Sequence, residues 1–298
     1  MAEAWKLTAL GEKATIEAAL VAQELALDWD EDIGLAGFEI AEDRPDEWKL
    51  DVYLPRRPTA ADRAAIDGLF AGAAPAFAAE KLPDADWVTE SQKGVDPILA
   101  GGFHVRTPDH PASPDATDLV IPASQAFGTG QHATTAGCLV MLARMRREGL
   151  RPRNLIDVGT GTGLLAFAAR ALWPRALVTA SDIDPVCVAV VRENADLNRV
   201  PLGGARGQVL MTTADGMDAP LLEARGPYDL LIANILARPL IEMAGEFARV
   251  VTPGGSVVLA GLLITQEPAV RRAYRRRGFR LARRLERGDW SILWLRRR

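Results

Sequence analysis

Asp157-Val-Gly-Thr-Gly-Thr-Gly163 is the stretch that decides the fold of this 298-residue chain. The apolar run Asn154–Val158 before the glycines predicts a buried strand, and Leu164–Leu172 after them predicts a helix. A glycine turn between a strand and a helix lets the backbone approach a ligand closely. The spacing is G-x-G-x-G, whereas dinucleotide-binding turns typically have G-x-G-x-x-G. The stretch therefore predicts an α/β fold with a ligand at the end of this strand.

An acidic residue, Asp182, ends the next predicted strand, Leu177–Ser181. A carboxylate at the tip of the second strand can accept hydrogen bonds from both hydroxyls of a ribose, so the two motifs together predict a nucleoside cofactor. The glycine spacing resembles the first motif of class I S-adenosylmethionine-dependent methyltransferases, which favours a methyl donor over a hydride carrier. A tight turn without any ligand is the alternative.

Strands and helices alternate beyond about residue 115. Near-continuous apolar strands separated by helices predict a parallel sheet covered on both faces. The short connection Glu286–Trp290 predicts that the last two strands form an antiparallel hairpin. This is the seven-stranded, Rossmann-like arrangement of class I methyltransferases, with one antiparallel strand. The predicted strands are Asn154–Val158, Leu177–Asp182, Gln208–Thr212, Tyr228–Asn234, Ser256–Leu263, Arg280–Leu285 and Ser291–Leu295.

The first ninety residues predict a smaller α+β unit. Its pattern is strand, helix, two strands, helix and strand, in the order of a ferredoxin-like domain. The second helix is predicted over Ala60–Phe70 with Thr59 as its N-cap, and the last strand over Lys81–Val88. We therefore expect a ferredoxin-like domain over residues 1–90, a linker over 91–114 and a catalytic domain over 115–298.

Composition and charge limit the class of protein. Hydrophobic residues make up 48% and charged residues 25% of the chain, as is ordinary for a soluble globular protein. No apolar run is long enough to span a membrane and no signal peptide is visible, so we expect a cytoplasmic protein. The two cysteines have no metal-binding spacing. Residues 271–298 hold twelve arginines, which either contact RNA or an acidic protein or form a solvated surface.

Four further segments should face the ligand at the carboxyl ends of the strands, of which Pro253-Gly-Gly255 is most simply a turn into strand five and is assigned no chemistry. The stretch Gln125–Thr135 combines Phe127, Gly130 and threonines before a helix over Ala136–Arg147, and it is a candidate lid over the cofactor. Asn234 ends the fourth strand, where a polar residue can hold a target nitrogen. Asp215 follows the third strand, where an adenine commonly lies.

These segments together resemble the bacterial ribosomal protein L-11 methyltransferase family. The resemblance rests on four stretches, which agree in order and spacing over about residues 115–298: Ala126–Thr135, Asp157–Gly163, Asp182–Asp184 and Asn234–Leu240. It implies S-adenosyl-L-methionine as cofactor and ribosomal protein L-11 as acceptor, with residues 1–90 recognising the substrate. It implies cofactor contacts at four positions, of which Asn234 is also the catalytic one: Thr135, Gly159, Asp182 and Asn234. The motifs themselves add six more candidate cofactor-binding residues: Phe127, Gly130, Asp157, Gly161, Gly163 and Asp215.

The implied reaction is methyl transfer to lysine ε-amines, to an α-amine, or to both. We expect a monomer with possible contact to ribosomal RNA, with no membrane and no metal. Three alternatives stay open. They are a lysine methyltransferase of another protein such as the electron-transfer flavoprotein β subunit, an RNA methyltransferase on the same fold, and a non-catalytic ribosome-binding module. RNA-base enzymes often carry Asn/Asp-Pro-Pro-aromatic after strand four, and Asn234-Ile-Leu-Ala237 departs from that pattern.

Overall fold

A computed structural model describes residues 4–26, 29–30, 32–40, 44, 46–81, 97–122 and 131–298. The chain folds as two compact units, Met1–Lys93 and Gly94–Arg298. The predicted last strand of the first unit lies largely outside the described residues, as do Phe127 and Gly130 of the candidate lid. None of the helices in the described part of the chain is long and apolar enough to cross a membrane.

The first unit is a four-stranded antiparallel sheet with two helices. Its elements are β1 (Trp5–Glu12), α1 (Lys13–Leu25), β2 (Gly34–Glu39), β3 (Glu47–Leu54), α2 (Ala60–Asp67) and β4 (Ala78–Lys81). The strand order β2-β3-β1-β4 is that of a ferredoxin-like domain. Thr59 caps α2 as predicted, because its hydroxyl accepts from Asp62 N while the Asp62 carboxylate accepts from Thr59 N. Leu7, Ile16 and Leu50 are fully buried in the core between the helices and the sheet.

The second unit begins with a three-stranded sheet, β5 (Ile98–Ala100), β6 (Phe103–Arg106) and β7 (Thr117–Val120). Two of these strands lie where we expected a linker over residues 91–114, so that expectation was wrong for residues 98–106. The physical reason is burial: Phe103 and Val105 are 2% and 3% exposed and join the main core of this unit. The side chain of Asn198 also bonds both the N–H and the carbonyl of Val120, at 2.7 Å each.

The seven-stranded sheet of the second unit has the predicted class I methyltransferase order. Its strands lie in the order β10-β9-β8-β11-β12-β14-β13. The first five in this order pair in parallel, whereas β14 is antiparallel to both neighbours. The strands are β8 (Asn154–Val158), β9 (Leu177–Asp182), β10 (Val209–Thr213), β11 (Tyr228–Asn234), β12 (Val251–Leu263), β13 (Phe279–Arg287) and β14 (Trp290–Arg297).

Helices cover both faces of this sheet, as its alternating pattern requires. One face packs against α3 (Gln131–Arg147), α4 (Leu164–Leu172) and α5 (Val186–Leu197). The other packs against four helices: α6 (Pro220–Arg225), α7 (Ala237–Glu242), α8 (Ala244–Val250) and α9 (Glu267–Arg276). Successive residues of β8 point to opposite faces of the sheet. Leu155 packs in the hydrophobic core on the first face and Ile156 packs in the core on the second. Because α3 begins at Gln131 and not at Ala136, Thr135 lies inside the helix.

Candidate active site

The glycine turn after β8 is held by the neighbouring strand. The backbone N–H groups of Gly159 and Thr160 both donate to the carbonyl of Ser181 on β9, at 2.8 and 3.0 Å. Gly159, Gly161 and Gly163 have φ angles of 69°, 53° and 84°, which only glycine adopts without strain. The residue types of the predicted motif are therefore required by the path of the backbone at the carboxyl end of β8.

The three glycines differ in what surrounds them. A Cβ on Gly159 would lie 2.3 Å from Cγ2 of Ile235, and one on Gly163 would lie 2.8 Å from Cζ of Phe167. A Cβ on Gly161 would meet no heavy atom within 4 Å. The outer glycines thus permit close packing within the protein. The middle glycine instead turns bare backbone towards open space, which is what a bound nucleoside cofactor needs from this turn.

Asp182 stands at the end of β9 and contacts this turn directly. Its Oδ2 accepts a 2.7 Å hydrogen bond from Gly161 N, and its Oδ1 accepts from Asp184 N at 3.1 Å. A carboxylate has about four lone-pair sites, so each oxygen keeps capacity for a further donor such as a ribose hydroxyl. The carbonyl of Asp182 accepts from Ala214 N at 2.8 Å, which brings the exposed Asp215 to the same edge of the sheet.

Asp157 is buried beneath the turn, with 1% of its surface exposed. Its Oδ2 accepts hydrogen bonds from Thr160 Oγ1 at 2.6 Å and from Ala166 N at 3.1 Å. Burial raises the pKa of this carboxyl to about 7, and the negative charge of Asp182 adds to the shift. Its Oδ1 is buried and has no partner among the described residues. The Asp157 side chain therefore shapes the glycine turn from inside the protein.

Asn234 and Thr135 come together although they are 99 positions apart in the sequence. Asn234 ends β11, and its Nδ2 lies 3.5 Å from Oγ1 of Thr135 in α3. At that length the contact is at the limit of a hydrogen bond. With Nδ2 turned to Thr135, the amide oxygen of Asn234 is the atom that can accept from an incoming donor.

Sequence reasoning missed several residues that position this site. Ile235 lies between two glycines, because a Cβ on Gly261 would stand 2.3 Å from its carbonyl oxygen. A lone glycine inside the apolar run of β12 was the available signal for such a close backbone approach. Asn194 was also missed. Its buried amide donates to the carbonyl of Thr162 at 2.9 Å and so supports the glycine turn from α5.

The structure places two of the three histidines in and beside the small sheet. His104 contacts the carboxylate of Asp118 through Nδ1 at 2.9 Å, and His110 contacts the hydroxyl of Thr107 at 3.0 Å. No group of three or more His, Cys, Asp or Glu side chains in the described part of the chain could hold a metal ion.

The strand order, the glycine turn and the acid at the tip of β9 define the class I methyltransferase fold. Comparison with known proteins narrows the class. A family model described as ribosomal protein L11 methyltransferase (PrmA) matches residues 19–298. The chain belongs to this family.

Individual relatives agree with the family model. The chain is 40% identical over 272 residues to a ribosomal protein L11 methyltransferase of Agrobacterium fabrum, an alignment that covers 90% of each protein. It is also 40% identical to one of Bradyrhizobium diazoefficiens, over 89% of this chain and 88% of that protein. A crystal structure of ribosomal protein L11 methylase from Lactobacillus delbrueckii subsp. bulgaricus aligns at 26% identity with a TM-score of 0.54. It covers 68% of this chain and 99% of that one.

Proposed function

We propose that this protein transfers methyl groups from S-adenosylmethionine to lysine ε-amines, an α-amine, or both, of ribosomal protein L11. The observation that carries the proposal is the meeting of two features at one edge of the sheet. Asp182 and Gly161 form a backbone-lined cradle there, and Asn234 ends the strand on the other side of β8. The names of the relatives supply the acceptor, and the cradle supplies a place for a nucleoside.

The cradle fits S-adenosylmethionine in three respects. The open space at Gly161 admits the cofactor against bare backbone. The free lone pairs of Asp182 accept the ribose hydroxyls, while Asp215 lies by the adenine. Asp157, Gly159 and Gly163 hold the turn in shape from behind. Thr135 approaches from α3. Phe127 and Gly130, the other candidate lid residues, lie outside the described residues.

Asn234 is the residue that we assign to the acceptor amine. The bound cofactor supplies a methyl group activated by a sulfonium. The amide oxygen of Asn234 accepts a hydrogen bond from the attacking amine and sets its direction, while Nδ2 of the amide faces Oγ1 of Thr135 at 3.5 Å. Placing the nitrogen about 3–3.5 Å from the carbon it attacks supplies much of the rate, because the reaction becomes effectively unimolecular.

The acceptor amine must lose a proton before it can attack, since an ammonium has no lone pair. A free lysine has a pKa of about 10.4 and is charged at neutral pH. Burial beside another cation lowers the pKa of an amine, so a dedicated strong base is not required. The second unit contains no lysine, so no side-chain amine of that unit competes with the acceptor. Solvent or a carboxylate takes the proton.

The first unit has a separate role in the proposal. It docks the acceptor protein, while the second unit carries the methyl-transfer site. We further propose that the enzyme acts in the cytoplasm, where its acceptor is synthesised, and as a monomer.

Mass spectrometry of three acceptors tests the proposal. Ribosomal protein L11, the electron-transfer flavoprotein β subunit and ribosomal RNA are each incubated with the protein and S-adenosylmethionine that carries a deuterated methyl group. We expect deuterated methyl groups on amines of L11 alone. Label in the flavoprotein subunit or in RNA would replace the proposed acceptor with that one. Absence of label from all three would favour a module that binds without catalysis.

A further inference from the structure

Six arginines meet at one corner of the second unit, where α9 ends, β13 begins and β14 ends. We call this group the arginine corner, and its members are Arg275, Arg276, Arg277, Arg280, Arg296 and Arg298. The pairing of β13 with β14 sets Arg280 opposite Arg296. The backbone N–H of Arg298 donates to the carbonyl of Gly278 at 3.1 Å. Nη1 of Arg280 donates to the carbonyl of Arg275 at 3.2 Å, which joins the strand to the end of the helix.

The charge of this corner opposes that of the rest of the chain. Residues 271–298 contain twelve arginines and two acids, Glu286 and Asp289. The chain as a whole has 35 basic and 39 acidic residues, so residues 1–270 contain 23 basic and 37 acidic ones. A local excess of this size creates a positive field that attracts a polyanion to one part of the surface.

The arginines near the corner fall into two groups by their partners. Arg271 and Arg284 both pair with the buried Glu267, and Arg283 pairs with Glu148, so these three have structural roles. The six corner arginines form no ion pair among the described residues. Their side-chain hydrogen bonds go to backbone carbonyls, such as that of Arg296 to Gly254 at 3.2 Å. Their charge therefore remains available to a partner.

Ordinary structural roles explain only part of the corner. Cations at a helix carboxyl end interact favourably with the helix dipole, which suits Arg275 and Arg276. Charged side chains on an edge strand discourage pairing with another chain, which suits Arg280 on β13. Arg277 and Arg298 lie outside both the helix and the edge strand. Neither role requires all of these cations to lie together.

The chemistry of the corner favours a nucleic acid over a protein partner. Protein interfaces usually have a buried apolar or aromatic centre. Among the described residues after α9 begins, Leu281 is the one large hydrophobic residue with marked exposure, at 37%. The cations are all arginine, whose planar guanidinium matches phosphate oxygens in pairs and also stacks on bases.

We propose that the arginine corner binds the phosphodiester backbone of RNA. We choose RNA over DNA because a ribosomal protein, the proposed acceptor, binds RNA. This choice therefore rests on the proposed function. The corner lies at the opposite end of the sheet from the methyl-transfer site. Ser256, at the corner end of β12, pairs with Arg296, whereas Ala260 pairs with Asn234. RNA on the corner therefore leaves the site accessible to an acceptor amine.

Fluorescence anisotropy with a labelled RNA hairpin of about 20 base pairs tests the inference. The variant replaces Arg276, Arg277 and Arg280 together by alanine. Its matched control replaces three exposed arginines at the far edge of the sheet, Arg175, Arg192 and Arg206. We expect the corner variant to bind RNA at least tenfold more weakly and the control to stay within twofold of the unaltered protein. A plot of the logarithm of the RNA association constant against the logarithm of salt concentration has a negative slope. The magnitude of that slope should be smaller by about three in the corner variant, since each of the three lost phosphate contacts contributes roughly 0.9.

A DNA hairpin and polyglutamate of equal charge are measured beside the RNA. Tighter binding of the DNA hairpin than of the RNA hairpin would contradict RNA as the ligand of the corner. Binding of polyglutamate as tight as that of RNA, or tighter, would contradict a nucleic acid as the ligand. Equal losses in the corner variant and its control would show a general effect of charge and overturn the corner as the site. No RNA binding at low salt would overturn the inference outright. Methylation of free L11 by the corner variant should be unchanged. The RNA-binding measurement can therefore fail without the proposed methyltransferase activity failing.

Discussion

Replacing Asp157 by asparagine should remove one pH-dependent contribution to the stability of the second unit. The carboxyl is buried, and its pKa of about 7 compares with 3.8 for an unperturbed aspartate. At about 1.36 kcal/mol for each pKa unit, ionising Asp157 in the folded protein costs on the order of 4 kcal/mol. Between about pH 4 and pH 7 the folded protein keeps a proton that the unfolded chain has released, so this group lowers the free energy of unfolding as pH rises.

The amide that the variant Asp157→Asn carries at this position cannot ionise. Its oxygen can still accept from Thr160 and Ala166, but the NH2 group at the place of Oδ1 gains no partner among the described residues. Near pH 4 the neutral carboxyl of the parent already buries one O–H donor, and the amide buries two N–H donors, so the extra unpaired donor costs the variant about 1–3 kcal/mol. We therefore expect the variant to be less stable than the unaltered protein near pH 4. Between about pH 4 and pH 8 the difference should move by on the order of 4 kcal/mol in favour of the variant.

Urea unfolding followed by labelling of Cys138 measures this difference for the second unit alone. Cys138 is fully buried in α3, so its thiol reacts when that unit opens. Cys187 is the other cysteine of the chain, and Cys187→Ser in both proteins removes its signal. A pyridyl disulfide serves as the reagent because it also reacts in mild acid. If the difference between variant and parent stays constant within about 1 kcal/mol across the range, Asp157 does not titrate as its burial requires.

Three further results are expected. Asp182→Ala should weaken S-adenosylmethionine binding in calorimetry, since two charge-assisted hydrogen bonds of roughly 1.5–3 kcal/mol each are lost; the exposed Asp196→Ala is its control, and equal affinities would remove Asp182 from the site. Asn234→Asp should retain cofactor affinity yet slow methyl transfer more than tenfold, which corresponds to about 1.4 kcal/mol of activation free energy. The added negative charge holds the acceptor amine as an ammonium, so part of the rate should recover at higher pH. Near-normal turnover at neutral pH would show that Asn234 is a turn residue only. A fragment spanning Gly94–Arg298 should fold and bind cofactor but should not methylate intact L11. A shorter fragment that begins near residue 112 should be less stable by several kcal/mol, because it lacks the buried Phe103 and Val105. Full activity of the longer fragment on L11 would contradict docking by the first unit.

Local patterns in the sequence predicted most of the fold. Apolar runs predicted all seven strands of the large sheet and the short connection before β14 predicted the last hairpin, whereas the spatial order of the strands came from the resemblance to class I methyltransferases. The glycine turn and Asp182 were visible because residues close in sequence form them. The small sheet was missed because β5 has three residues and β6 four, too few to show a period. The meeting of Asn234 with Thr135 depends on how α3 packs across the sheet, which no local pattern contains.

Ile235 packs closely against two glycines that are distant from it in the sequence, Gly159 and Gly261. Its side chain fills the space above Gly159, and its carbonyl fills the space beside Gly261. A methyl group added at either glycine would push on the residue that directly follows Asn234. Directed evolution of acceptor choice would therefore keep both glycines, whose φ angles of 69° and 81° also disfavour any other residue. Residue 235 is the position of the three to vary, because its side chain can change without altering the backbone contact at Gly261.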